Sequence, residues 1–117
     1  MSRGPSDDLL IRVADRLKAL ADPTRLKILR ALERGERNVS DLLGEIGGSQ
    51  ANVSKHLARM RHAGLLEARR DGTSVFYRVI DSTAFAVCRT IRDGLERRAR
   101  RERELLRGAR SRIGGKR

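Results

Sequence analysis

Gln50, Ser54 and Lys55 put an amide, a hydroxyl and an ammonium on one short stretch that reads as a helix. Such groups hydrogen-bond to base edges in a major groove, and the small Ala51 beside them lets a helix sink there. Asn52, His56 and Arg59 on the same stretch, with Arg69, Arg70 and Arg78 beyond it, are the candidates for contacts to a phosphate backbone. From Ser49 to Gly64 there is no acidic residue. A merely solvated helix more often mixes Glu with Lys, so a basic face without carboxylates points to a polyanionic partner.

Placing those side chains requires a helix with one buried edge. Ser49 is a candidate N-cap and Gly64 the left-handed residue that ends the helix. Val53, Leu57 and Met60, at i, i+4 and i+7, form its one apolar stripe. Turning about 100° per residue from that stripe puts Ala51, Ser54, Lys55, Ala58 and His62 on the far side. Gln50 and Arg61 then lie on one flank, Asn52 and Arg59 on the other. Next come two β-prone runs, residues 65–70 and 74–80, around Asp71-Gly72-Thr73, which predicts a hairpin. A hairpin with arginines near its tip beside a reading helix has the form of a wing.

The preceding residues predict the rest of a helix-turn-helix. Asp7 or Asp8 opens a first helix carrying Leu9, Leu10, Val13, Leu17 and Leu20 at helical spacing. Asp22-Pro23 caps and starts a second, which Gly35 stops, with Leu26, Ile28, Leu29 and Leu32 as its core face. Ser40 is placed as cap of a short third helix with Leu42, Leu43 and Ile46, ending at Gly47-Gly48 just before the capped reading helix. From Ser82 a long last helix offers Ala84, Val87, Cys88, Ile91 and Leu95 on one side. The expected fold is mainly α with a small β-hairpin: a winged helix-turn-helix of about five helices plus wing. Leu9, Leu10, Val13 and Leu17 of the first helix and Val87, Ile91 and Leu95 of the last are the expected dimer seam. Two reading helices about one duplex turn, roughly 34 Å, apart would then suit a palindromic site.

Composition narrows the function classes. The chain has 117 residues and a formal net charge of +12, enough for one independent core and biased toward a polyanion. The expected organisation is a disordered terminus over residues 1–8, a winged-helix and dimerisation domain over 9–96, and a basic helix end and flexible tail over 97–117. That tail holds nine Arg and Lys116 against Glu102 and Glu104, a net of 10 − 2 = +8, and should add nonspecific phosphate affinity. No apolar run approaches a membrane span, no signal peptide or lipidation motif is read, and a cytoplasmic, nucleoid-associated setting without a membrane partner is expected. With no Trp, one Tyr and two Phe, stacking platforms for single strands are missing, which favours duplex DNA. The Ser, His and Asp residues form no pairing that would activate a nucleophile, so no enzyme is expected.

Leu20-Ala21-Asp22-Pro23-Thr24-Arg25-Leu26-Lys27-Ile28-Leu29, Ser49-Gln50 through His56-Leu57, and Gly64-Leu65 to Asp71-Gly72 and Tyr77 closely resemble the ArsR/SmtB winged-helix repressors. The resemblance spans about residues 9 to 95. It implies a bacterial or archaeal homodimer that binds operator DNA near its own promoter and is usually released by an inducer, here an unidentified small molecule. Relatives that sense soft metals typically carry Cys-x-Cys where this chain has Asn38-Val39-Ser40. A second family site, Asp-x-His-x10-His-x2-Glu or His, aligns with Asp81, Thr83, Gly94 and Arg97, so only the Asp survives and it reads as a helix cap. No metal and no cofactor is expected at either place. Cys88 is the remaining sensor candidate, although a lone cysteine needs a bridge between subunits or a thiol adduct to report redox state. The alternatives to a metal-independent repressor are a nonspecific nucleic-acid packager and a thiol-sensing repressor using Cys88.

Overall fold

A computed structural model describes Gly4 and residues 6–114. Its elements are α1 (Asp7–Leu20), α2 (Pro23–Leu32), β1 (Arg37–Asn38), α3 (Val39–Ile46), α4 (Gln50–His62), β2 (Leu66–Asp71), β3 (Ser74–Val79) and α5 (Thr83–Gly114). This is the mainly helical winged helix-turn-helix that the sequence predicts, with five helices. The chain forms two compact units, residues 1–85 and 86–117. The second consists of most of α5.

Helix starts follow local hydrogen bonding. Ser6, rather than Asp7 or Asp8, caps α1 by accepting from the Leu9 N–H at 3.2 Å, and both aspartates lie in the first turn. The disorder expected over residues 1–8 therefore does not reach them, while residues 1–3 and 5 lie outside the described range. Asp22 caps α2 with Pro23 in its first turn, as expected. Asn38 caps α3 in place of Ser40, because its extended backbone ends β1 and its side chain accepts from the Asp41 N–H at 2.8 Å. β1 itself is an addition to the expected hairpin: Arg37 and Asn38 pair antiparallel with Tyr77 and Phe76, giving the sheet order β1-β3-β2. In the hairpin Asp71 pairs with Ser74, leaving a two-residue loop in which Gly72 takes the positive φ of 63°.

The core of the first unit is built from Ile28, Leu29, Leu32, Leu42, Val53, Leu57, Met60, Leu65 and Leu66, all buried. Leu26 is not among them. Arg25 takes the inward position on α2 with Leu29 and Leu32, so the helix phase turns Leu26 outward. On α1 only Ala19 and Leu20 are buried; Leu9, Leu10, Val13 and Leu17 are each close to half exposed. In the second unit α5 continues through Gly114, so the helix end expected within residues 97–117 extends as far as the described residues go.

Gly64 ends α4 at φ 79°, where the Leu65 N–H reaches back to the Met60 carbonyl at 3.0 Å. Gly44, in contrast, sits inside α3 with open space where a Cβ would be. Gly64→Ala is expected to destabilise by about 1–2 kcal/mol, and Gly44→Ala to stabilise by about 0.5–1 kcal/mol. Urea unfolding of the two variants checks this, and shifts of the same sign would contradict it.

Candidate nucleic-acid interface

The turn between α3 and α4 is made by Gly47 and Gly48 at φ 81° and 85°, a pair of conformations that few side chains tolerate. Ser49 then caps α4, accepting from the Asn52 N–H at 3.1 Å. Val53, Leu57 and Met60 are buried against α2, α3 and β2, as their spacing predicts. Burial of that stripe leaves Gln50, Ala51, Asn52, Lys55, Arg59, Arg61 and His62 exposed and Ser54 half-buried. The base-reading candidates Gln50, Ala51, Ser54 and Lys55 thus stand together near the N-terminal end of α4.

His56, a candidate for packing or for a phosphate contact, faces the interior. Its imidazole is nearly buried, with Nδ1 3.2 Å from Arg25 Nη1 and Nε2 3.8 Å from Asp22 Oδ2. Because Arg25 has only donors, Nδ1 must accept, which leaves Nε2–H facing the carboxylate. Arg25 Nη2 also donates to the Lys18 carbonyl at 3.1 Å, near the end of α1. Asp22 accepts from the Arg25 and Thr24 N–H groups at 3.1 and 2.8 Å. The Arg25 backbone bond foremost, helped by His56, holds the Asp22 carboxyl below its ordinary range. One polar cluster therefore ties α1, α2 and the reading helix. Sequence reasoning missed it, although a signal existed: an arginine in phase with Leu29 and Leu32 on a buried face needs partners.

The wing divides its arginines. On one face of the sheet Arg69 donates from Nε to Glu36 at 3.2 Å and lies 5.1 Å from the Phe76 ring centre, while Arg78 donates to Glu67 at 2.7 Å. The hydrogen bond from Arg69 is the main reason that the Glu36 carboxyl titrates below its ordinary range. Both arginines, expected to be open to phosphate, are thus paired with carboxylates within the fold. Arg70 points to the opposite face, is exposed and makes no ion pair among the described residues.

Residues 22–68 match the model of the family described as bacterial regulatory protein, arsR family. The chain is 34% identical over 84 residues to the biofilm growth-associated repressor of Xylella fastidiosa, covering 72% of this chain and 74% of that protein. The chain belongs to the ArsR family. This is a family of winged-helix transcriptional regulators, not of enzymes. The regulator KmtR of Mycobacterium tuberculosis is 41% identical over 73 residues, 62% of this chain; the match spans little more than half, 56%, of KmtR. Among solved structures, a homodimeric winged helix-turn-helix DNA-binding domain from Mycobacterium bovis superposes with a TM-score of 0.67 at 37% identity, covering 79% of this chain and 91% of that one.

At the two positions aligned with the family's metal motifs, Asn38 and Asp81 are engaged within the fold. Asn38 uses its side-chain oxygen as the α3 cap, and Ser40 offers no thiolate. Asp81 accepts from the Thr83 hydroxyl and N–H and pairs with the Arg16 guanidinium; the Thr83 hydroxyl leads the effects that keep its carboxyl below the ordinary range. A cation already faces that carboxylate, and Gly94 and Arg97 add no ligand. Among the described residues no three His, Cys, Asp or Glu side chains converge as a metal site. Cys88 is half-buried, and burial pushes its thiol above its ordinary pKa, away from the reactive thiolate.

Removing the imidazole in His56→Ala is expected to cost about 1–3 kcal/mol, since it strands the Arg25 donor. The salt dependence of DNA binding should stay unchanged, because the His56 ring faces Arg25 and Asp22 rather than an open phosphate site. Chemical unfolding and salt-titrated binding together check the assignment; a slope about one unit shallower would restore His56 to the phosphate contacts.

Proposed function

We propose that this ArsR-family regulator is a transcriptional repressor that binds a palindromic operator in duplex DNA as a homodimer, without sensing metal at the two familiar positions. The observation that carries this reading is α4: its apolar stripe is wholly buried, and the opposite face is exposed, polar and free of carboxylates beside a wing. Gln50, Ala51, Ser54 and Lys55 read bases. Asn52, Arg59 and Arg70 hold phosphates, and Arg69 and Arg78 join them only by giving up Glu36 and Glu67. The dimer rests on Leu9, Leu10, Val13 and Leu17 of α1 and on Ile91 and Leu95 of α5, which are exposed in the single chain, together with half-buried Val87. The homodimeric Mycobacterium bovis relative supports that assembly.

The metal-independent part of the reading follows from the donor sets. Thiolates are missing at residues 38–40, and Asp81 is already engaged by Arg16 and Thr83. Relief of repression would then fall to an organic or thiol-reactive inducer. Soft divalent metals should leave both the unfolding midpoint and DNA affinity of the purified protein unchanged, and a stoichiometric, stabilising metal would refute this.

Binding to the protein's own upstream region and to random duplex of equal length, at several salt concentrations, tests the repressor reading. A preference of about a hundredfold surviving near-physiological salt is expected, whereas equal and steeply salt-dependent binding would mark a nonspecific packager. Gln50→Ala should cost about 1–3 kcal/mol on the operator and relax specificity. Arg70→Ala should weaken both duplexes alike and make the salt slope shallower. Identical effects of the two changes on both duplexes would refute the division of roles. Leu17→Glu should yield monomers in sedimentation with operator affinity lost.

A further inference from the structure

From Arg97 to Arg112, α5 carries Arg97, Arg98, Arg100, Arg101, Arg103, Arg107, Arg110 and Arg112, eight cations on an unbroken helix. Two carboxylates share the segment, Glu102 and Glu104, for a net of 8 − 2 = +6. Among the described residues only Arg98 pairs with one of them, loosely, 3.9 Å from Glu102. All eight guanidinium groups are exposed.

We infer that this arginine face is a second DNA-binding surface, a comb that grips duplex phosphates independently of sequence and adds to the contacts of α4 and the wing. The inference rests on the DNA-binding reading above. Sixteen helical residues rise about 24 Å, so eight cations give about one per 3 Å of axis, against about one phosphate per 1.7 Å of duplex. Turning about 100° per residue spreads the arginines over roughly two thirds of the circumference, with Leu105 among them, opposite a narrow strip of Ala99, Leu106 and Ala109. Every cation is arginine, whose planar fork matches phosphate oxygens in pairs. A helix also keeps the charges at fixed spacing, which a frayed tail would not.

Other occupants fit less well. A second copy of this segment would bring another net +6 against the first, and Glu102 interrupts the apolar strip that such a pairing would need. An anionic membrane suits the charge, but one leucine and two alanines offer little to bury in lipid.

The test uses the full chain with Arg100, Arg101, Arg103 and Arg107 changed together to Gln, and a matched variant with the same four changed to Lys. Gln and Arg have similar helix propensities, and Lys keeps the charge. Affinity for the operator fragment and for random duplex is measured from about 50 to 300 mM salt. The expected result is a Gln variant whose log–log salt slope is shallower by about two or more on both duplexes, an operator preference unchanged within about twofold, and a Lys variant with the original slope. An unchanged slope in the Gln variant overturns the inference, as does equal loss in both variants. Vesicles rich in anionic lipid are titrated in parallel; binding there that the Gln changes abolish, with the duplex slope intact, assigns the face to membranes instead. If the unaltered protein shows no operator preference, the repressor reading fails, while the difference in slope on random duplex still decides the arginine face.

Discussion

The reading helix has only one side that it can bury, and the rest of the interface follows from that. Val53, Leu57 and Met60 are its three buried apolar side chains, and returning each to water would cost about 1.5–3 kcal/mol. A rotation of α4 by one residue's angle would exchange that stripe for Ser54, Ala58 and Arg61. Packing against α2, α3 and β2 therefore sets which side chains face outward before any DNA is present. The Asp22, His56 and Arg25 cluster acts in the same sense through directional bonds, joining α4 to the start of α2 and the end of α1. Apolar packing defines the rotation, and the polar cluster ties the helix to its neighbours.

What the sequence made legible was local. Ser49, Gly64 and the Val53, Leu57, Met60 spacing delimit α4 and its buried edge because caps and periodicity act within a few residues. The glycines at 47 and 48 announce the tight turn for the same reason. What was not legible depended on partners distant along the chain. β1 is two residues long, too short for any alternation, and exists because β3 offers it hydrogen bonds. Arg69 finds Glu36 across the sheet at a separation of 33 residues, and His56 meets Arg25 at a separation of 31. The persistence of α5 to Gly114 was hidden differently: arginine density reads as repulsive and solvated, yet arginine is among the better helix formers.

The cluster around Asp22 also carries a pH consequence. Hydrogen bonds hold the carboxyls of Asp22, Glu36 and Asp81 below their ordinary values in the folded state. Their contribution to stability is thus complete above about pH 4, the unfolded value, and is lost as pH falls through the lower folded values. These three carboxylates lie in separate places: the anchor of α4, the wing and the start of α5. Acid would loosen the positioning of the reading helix and of the wing together, and would release Arg69 from Glu36 in the same range.

Charge is partitioned between shape and binding. On the wing, Glu36 and Glu67 hold Arg69 and Arg78 in fixed geometry, and Phe76 lies under the Arg69 guanidinium. Those ion pairs are exposed, so each is worth little to stability, but each lowers the charge that the wing presents to phosphate. A wing with all its arginines unpaired would bind any duplex more tightly and discriminate less, because phosphate contacts carry no base information. Arg70, on the opposite face, is left as the wing's unpaired cation among the described residues. The reading face of α4 shows similar restraint, with Gln50, Ala51 and Ser54 neutral beside Lys55. Most of the excess positive charge stands instead beyond residue 96, apart in the chain from the side chains proposed to select bases. Separating the two kinds of contact in this way lets affinity and discrimination vary independently.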